Sequence, residues 1–328
     1  MNRVLVAGAS GYAGALAAEL VRRHPSLELD RVTARTDAGK RLSELHPRYG
    51  VDLILEEPAA EHGEDVDAAI VAYPHGAAAP VVSALRGRGV KVVDLSADFR
   101  LHDLETYRRW YGEHGAPDLL PDAVYGLTEL HRDRIAGAEL VANPGCYPTA
   151  SLLALAPLAA EGLIDDVVID AKSGVSGAGR AAAEEMAVVK DTDDTKPYKV
   201  AGHRHTPEIA QELNGAGSLT FVPHLMPYDQ GELVSCYVRT SEALDASRLL
   251  SLYQERYADE PFVELAAEPP GVSGVRETNL CRIHVALDEA SGRAMAFASI
   301  DNLWKGAASQ AIQNLNLMLG LPEGEGIS

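Results

Sequence analysis

Cysteine is nearly missing from this 328-residue chain. Cys146, Cys236 and Cys281 are an odd number with no metal-like spacing, which excludes a disulfide framework and speaks against a zinc site. Long apolar runs are missing too: none reaches the roughly 18 residues of a membrane helix. The opening MNRVLVAGAS enters a strand at once, with no charged n-region, apolar h-region or cleavage site. The expectation is a cytoplasmic protein with no membrane partner. Positive charge is the third deficit, since 29 basic against 48 acidic side chains leave −19, and lysine is scarce beside arginine. The acids are spread along the chain, as in KDTDDTK and PEGEGIS, so a nucleic-acid partner is not expected. This pattern fits a halophilic cytoplasm, where salt screens self-repulsion; an ordinary acidic cytosolic protein is the other reading. Internal repeats and low-complexity segments do not stand out.

What is present is 46% apolar residues, enough for a substantial core, and a length that allows two domains. The run RVLVA at 3–7 suits a buried parallel strand. Gly8, Ala9, Ser10, Gly11, Tyr12, Ala13 and Gly14 follow, then the helical ALAAELVRRH. This is a Gly-x-x-Gly-x-x-Gly variant of the dinucleotide fingerprint, in the strand–turn–helix setting that such a turn requires. The next strand, LELDRVTAR, is expected to end at Arg35, in the segment Ala34, Arg35, Thr36. NAD sites usually carry an acid there; a guanidinium favours NADP instead. Without the glycines upstream, Arg35 would read as a solvated surface residue. Further strand–helix alternation through residue 95 predicts a doubly wound parallel sheet.

The stretch VANPGCYPTA organises the rest. Asn143, Pro144 and Gly145 make a sharp turn after a buried strand, and an apolar helix starts at or just after Cys146. A thiol there faces unpaired backbone N–H groups and the positive end of the helix dipole, which favours a thiolate nucleophile. The loop in DAKSGVSGAGR, with Ser173 and Arg180, reads equally as an anion-binding loop or a connector. In KVAGHRHTPEIAQEL, Thr206 is a good N-cap and Pro207 fits the first helical position. That puts His203 and His205 in an extended segment, both rings on one face, as acid/base candidates for Cys146. Residues 218–240 and 278–300 read as long antiparallel strands of a second, α+β domain, with Cys236 and Cys281 inert within it. DNLWKGAASQAIQNLNLMLG reads as a long amphipathic helix that packs on the first domain.

The motifs GASGYAG, NPGCYPTA, DAKSGVSGAGR, GHRHTPEI and DNLWKGAASQAIQNLNLM, in this order along the whole chain, resemble the N-acetyl-γ-glutamyl-phosphate reductases. Close relatives act on glutamate or α-aminoadipate held by the acidic carrier protein LysW. The resemblance implies an α/β fold with a Rossmann-type parallel sheet and a second α+β domain of mostly antiparallel strands. It divides the chain into residues 1–145 plus 303–328 for NADP, and 146–302 for catalysis, substrate and oligomerisation. The implied activity is NADPH-dependent reductive dephosphorylation of an N-blocked γ-glutamyl or aminoadipyl phosphate to the semialdehyde, through a cysteine thioester, in arginine or lysine biosynthesis.

Cys146 would be the nucleophile, with His205 and His203 as acid/base or substrate ligands, their division of roles left open. Gly8, Ser10, Gly11, Tyr12, Ala13 and Gly14, with Ala34, Arg35 and Thr36, would hold NADP. Asn302 would lie near the nicotinamide, and Ser173 and Arg180 near the substrate's anionic groups. No metal is implied. Partners would be a small acyl phosphate or a LysW-like carrier, and further copies of the chain in a dimer or tetramer. Arg31, Arg35, Arg41, Arg48, Arg108 and Arg109 are candidates for the basic patch such a carrier needs. The sequence departs from the family pattern in FVPHLMPYDQGEL, where an arginine is expected close to Gln230. A Cys–His hydrolase would use Cys146 and His205 but leave the fingerprint and Arg35 without a purpose; a non-catalytic NADP-binding protein would leave Cys146 unexplained.

Overall fold

Short runs of small and β-branched residues build the first sheet. The computed structural model describes residues 1–59, 63–180 and 188–327, and the chain divides into two units, Met1–Gly145 with Ala307–Ser328, and Cys146–Gly306. In the first unit, β1 (Asn2–Ala7), β2 (Leu27–Thr33), β3 (Ala68–Val71), β4 (Lys91–Asp94), β5 (Ala123–Tyr125) and β6 (Leu140–Ala142) form one sheet of order β2-β1-β3-β4-β6-β5. Every neighbouring pair is parallel. β3 is buried throughout, as a strand covered on both faces must be. The order reverses at β1, with β2 on one side and β3 on the other, so the turn after β1 lies at the topological switch point where such sheets bind ligands.

Two sequence expectations shift here. β2 stops at Thr33, not Arg35, because the Thr33 carbonyl accepts the N–H groups of Gly8 and Ala9, both at 2.9 Å. Arg35 is left in an exposed loop. The segment after Asp301 is a π-helical turn, Trp304–Ala308, running into the helix Ser309–Met318, and that helix is buried almost all round rather than amphipathic. Its polar residues are structural. Asn314 Nδ2 donates to the Gly126 carbonyl at 2.8 Å and to Asn143 Oδ1 at 3.0 Å, while its Oδ1 accepts from Thr128 Oγ1 at 2.8 Å. Asn316 donates to the carbonyls of Glu323 and Glu325. Buried amides cost stability unless bonded in this way.

The second unit holds a sheet of order β11-β12-β13-β10-β7-β9-β8. Its strands are β7 (Ile164–Gly174), β8 (Lys196–Pro197), β9 (Ser218–Met226), β10 (Glu232–Thr240), β11 (Val263–Leu265), β12 (Cys281–Asp288) and β13 (Arg293–Ile300). Pairing is antiparallel except for β11 with β12 and β7 with β9. Residues 218–240 therefore do not form a hairpin: β7 lies between β9 and β10. The connection between them crosses the end of β7, where Gly174 N–H donates to the Gly231 carbonyl at 2.9 Å. A Cβ on Gly174 would lie 2.6 Å from the Asp229 carbonyl oxygen, so only glycine fits beneath this crossing.

The helix Cys146–Ala160 packs on β10 and β13, with residues 147–158 buried on every side. Pro157 lies inside it and leaves the Leu153 carbonyl without its usual i+4 donor. The Tyr257 hydroxyl donates to that carbonyl, and the Tyr253 hydroxyl to the Ala154 carbonyl at 2.5 Å, both from the helix Ala246–Tyr257. The carbonyl left over by the proline is thus satisfied by the Tyr257 phenol. No helix among the described residues is long and apolar enough to cross a membrane.

Candidate active site

In the first unit the glycine turn is a steric solution. Gly8 has φ +87°, and a Cβ there would fall 2.7 Å from the Ala72 carbonyl carbon; one on Gly14 would fall 2.4 Å from the Gly8 oxygen. Gly11 differs: its φ is −81°, and the nearest atom to its Cβ position is the Gly8 oxygen at 3.8 Å. The fold does not demand glycine there, and the space ahead of it is open. Gly11 caps the helix Tyr12–Arg23 without a side-chain bond and with no acid in the first turn, so the helix start offers N–H groups and positive potential to an anion. Ser10 accepts His46 Nε2 at its carbonyl, 2.9 Å away, and the His46 ring sits edge-on to Tyr12. His46 carries no sequence signal, since its contact spans 36 residues.

Ala34 is buried, Arg35 and Thr36 are exposed. The Arg35 guanidinium lies 5.2 Å over the Tyr73 ring and donates to the Ala77 carbonyl. Tyr73 is itself fixed through its hydroxyl to Thr33 Oγ1 at 2.9 Å. The neighbouring acid, Asp37, is paired with Lys40 at 2.9 Å. An open glycine cradle, an uncapped helix start and a stacked guanidinium after β2 fit the pyrophosphate and 2′-phosphate of NADP.

The turn ahead of Cys146 is pinned within the first unit. Asn143 N–H donates to the Asp94 carbonyl at 2.8 Å, its side chain donates to the Ala307 carbonyl at 3.2 Å, and its own carbonyl accepts Arg100 Nε at 2.8 Å. Asp94 is buried and bonded to Ser96; burial pushes its carboxyl up to about 7.

In the second unit Cys146 is the first residue of its helix and is partly exposed, whereas Cys236 and Cys281 are buried in the sheet. A Cβ on Gly306 would come within 2.7 Å of Cys146 Cβ, so glycine there keeps room for the Cys146 side chain. Tyr147 gathers the other groups. Its ring lies 5.7 Å from His203, 5.8 Å from His205 and 5.4 Å from Phe221, all edge-on. Its hydroxyl donates to the His224 carbonyl at 3.3 Å and faces Tyr198 Oη at 3.4 Å. The two histidine rings are 4.8 Å apart.

The histidines reach this arrangement by a turn, not by the extended segment expected. Thr206 N–H donates to the His203 carbonyl, His205 is helical in conformation, and it rather than Thr206 occupies the cap position of the helix Thr206–Glu212. His205 N–H donates to His203 Nδ1 at 3.1 Å. Burial first, then Lys199 and Arg204, holds His203 down at about 4.

Ser173 is buried and donates to the Gly174 carbonyl. Asn302 Oδ1 accepts Gly231 N–H at 2.8 Å, and its Nδ2 donates to Ser176 Oγ at 2.9 Å. The loop after β7 is not an open backbone cradle, because the N–H groups of Gly174, Val175, Ser176 and Gly179 all donate to chain carbonyls. An anion there would depend on side chains such as Arg180, which is half-buried. Lys172 points away to Asp170, 2.5 Å from its Nζ. Glu232 has no counterpart in the sequence expectations. It opens β10, fully buried, directly across from Ser173. Among the described residues no group of histidine, cysteine and carboxylate side chains is arranged to hold a metal ion.

The model for "Semialdehyde dehydrogenase, NAD binding domain" matches residues 3–138, and that for "Semialdehyde dehydrogenase, dimerisation domain" matches residues 146–302. An N-acetyl-γ-glutamyl-phosphate reductase of Dehalococcoides mccartyi is 46% identical over 97% of this chain and 95% of its own length. One from Geobacter sp. (strain M21) is 44% identical over 100% of this chain and 98% of its own. Among solved structures, aspartate semialdehyde dehydrogenase II of Vibrio cholerae complexed with ASA has a TM-score of 0.76 at 19% identity, covering 98% of each chain. Aspartate semialdehyde dehydrogenase with NADP from Candida albicans has a TM-score of 0.70 at 14% identity, over 97% of this chain and 98% of its own. A glycine turn at a sheet switch point, a cysteine opening a buried helix, and near full-length identity of this order have one conclusion: the chain belongs to the N-acetyl-γ-glutamyl-phosphate reductases, within the NAD(P)-dependent semialdehyde dehydrogenases.

Proposed function

We propose that this protein reduces N-acetyl-γ-glutamyl phosphate to the semialdehyde with NADPH, through a thioester on Cys146, in arginine biosynthesis. The observation that carries the reading is Cys146 itself: partly exposed at a helix start, with both histidine rings packed on the adjacent Tyr147. The sulfur attacks the acyl carbon and phosphate leaves with its electron pair. A soft nucleophile at a helix N-terminus suits this step and yields an ester open to reduction. NADPH, when bound, supplies the hydride. The chain's part is to orient the acyl group and stabilise the oxygen that becomes negative, using N–H groups at the helix start. His203 accepts a backbone N–H at Nδ1, so its single proton is on Nε2 and it serves as a neutral donor. His205 is left as the acid that protonates the departing phosphate. Ser173 and Arg180 bind the substrate's anionic groups.

Free rather than carrier-bound substrate is favoured by the arginines of the first unit. Arg31 pairs with Asp30 at 2.6 Å, Arg41 with Asp52 at 3.1 Å, and Arg108 with Glu105 at 2.6 Å and Glu113 at 3.2 Å. These three of the six candidates offer an acidic carrier little net charge. The family description of residues 146–302 as a dimerisation domain supports a homo-oligomer. The test is NADPH oxidation with N-acetylglutamyl phosphate and with a LysW-bound glutamyl phosphate, compared as kcat/KM. Cys146→Ser should abolish turnover and keep NADPH binding; near-normal turnover by that variant would overturn the reading.

A further inference from the structure

We propose that Glu232 is the proton partner of Cys146: its carboxylate takes the thiol proton as sulfur attacks and returns it when sulfur leaves. The proposal rests on the acyl-phosphate reductase reading of the same site.

Glu232 has no structural occupation that would explain it. It is 0% exposed, and among the described residues no hydrogen bond of good geometry reaches either carboxylate oxygen. A buried carboxyl is normally paired or bonded, because burying it otherwise is costly. Its cross-strand neighbours are Ser173 on β7 and Ile300 on β13. The two polar groups that face it closely are the Cys146 thiol and the Ser173 hydroxyl. A carboxyl left unsatisfied beside a nucleophile is positioned to exchange a proton with it.

The electrostatics suit that exchange. Burial is the largest influence and, with Asp301, raises the Glu232 carboxyl to about 8, against the opposing pull of Cys146 and Ser173. A base is most effective when its affinity for the proton lies near the working pH. The other ionisable groups around it are Tyr147, Tyr198 and Tyr228, each raised by burial and so neutral. The nearby cation, Arg276, stacks 5.5 Å over Tyr228 and donates to the Gln230 carbonyl. Gln230 stands where the family resemblance expects an arginine. Its neutral amide donates to Asp301 at 3.1 Å, so no guanidinium from this position offsets the charge that keeps Glu232 basic.

The proton balance closes. The S–H bond breaks and an O–H bond forms on Glu232 while the S–C bond forms and the C–O bond to phosphate breaks. After hydride from NADPH has reduced the thioester carbon, the C–S bond breaks, its electron pair returns to sulfur, and Glu232 gives the proton back. The proton consumed overall is the one that His205 gives to phosphate.

The test measures two quantities on the full-length enzyme: kcat/KM for the acyl phosphate, and the pH dependence of Cys146 alkylation by iodoacetamide. Glu232→Gln should lower kcat/KM by about a hundredfold and move the alkylation inflection by about one pH unit or more. Glu232→Asp should restore part of the activity, and Gln230→Arg should shift the inflection to lower pH. A Glu232→Gln enzyme that alkylates with the wild-type pH profile and turns over within about threefold of wild type overturns the proposal. Should Glu232→Gln not fold, an unshifted inflection in both Glu232→Asp and Gln230→Arg overturns it. Alkylation needs no substrate, so a wild type inert toward acyl phosphates but with Glu232-dependent alkylation refutes the substrate reading and leaves the Cys146–Glu232 coupling standing.

Discussion

His205 donates its backbone N–H to Nδ1 of His203 at 3.1 Å, and this bond sorts two histidines that sequence leaves equivalent. His203 cannot carry a proton on Nδ1 while accepting there, and burial holds it near 4, so it is neutral throughout the working range. His205→Asn should therefore lower kcat by about a hundredfold or more and remove a limb of the pH–rate profile. His203→Gln should lower kcat less and leave that limb in place. The pH profiles of kcat for both variants check this; identical profiles would reverse or abolish the assignment.

The three glycines of the turn after β1 should separate. Gly8→Ala and Gly14→Ala meet backbone at 2.7 and 2.4 Å and should destabilise the fold by about 1–3 kcal/mol. Gly11→Ala has room and an ordinary φ, so its Tm should be unchanged while NADPH affinity drops, because the added methyl fills the space ahead of the helix. Thermal unfolding and fluorescence titration with NADPH distinguish the two classes.

Arg35 stacks on Tyr73 and, among the described residues, pairs with no acid, which leaves its charge available. Arg35→Ser should raise KM for NADPH by about tenfold to a hundredfold and change that for NADH little. Equal effects on both cofactors would show that Arg35 does not read the 2′-phosphate.

Stability should fall as the solution becomes alkaline. Asp94 and Glu232 are raised in the fold to about 7 and about 8 by burial, so the folded state holds protons that the unfolded chain releases near pH 4. Their contribution is full below about pH 4 and is lost as the pH rises through 7 and 8. His203 acts in the other direction: its neutral form is favoured in the fold, and stability is lost as the pH falls from about 6.5 towards 4. Two carboxyls outweigh one histidine between about pH 4 and 6.5, so the net contribution of these three groups should fall as the pH rises from about 4 to 8. Asp94→Asn should flatten the slope of Tm between about pH 4 and 7, where each pKa unit is worth about 1.4 kcal/mol. A slope unchanged in that variant would remove Asp94 from the account.

Local patterns were legible in the sequence; long-range pairings were not. The glycine turn and the helix start at Cys146 follow from a strand, a turn and a helix within about fifteen residues, where periodicity and backbone sterics act directly. Glu232 is different. It begins an otherwise ordinary strand, and only the pairing of β10 with β7 brings it opposite Ser173. Residues 218–240 read correctly as strands, but nothing in them tells that β7 inserts between β9 and β10. The helix Ser309–Met318 was misread because its asparagines and glutamines look solvated, while their amides bond to chain atoms far away in sequence. The histidine turn was hidden by a single side-chain acceptor, His203 Nδ1.

Asn314 has a consequence for synthesis. It is bonded to Gly126, Thr128 and Asn143, residues made about 170 to 190 positions earlier, and it belongs to the same unit as they do. The second unit, Cys146–Gly306, is continuous and can close while the chain is still emerging from the ribosome. The first unit must wait with the apolar surface that this helix covers incomplete until residues 309–318 are released. Nascent chains stalled before that point should carry a finished second unit and a protease-sensitive first one.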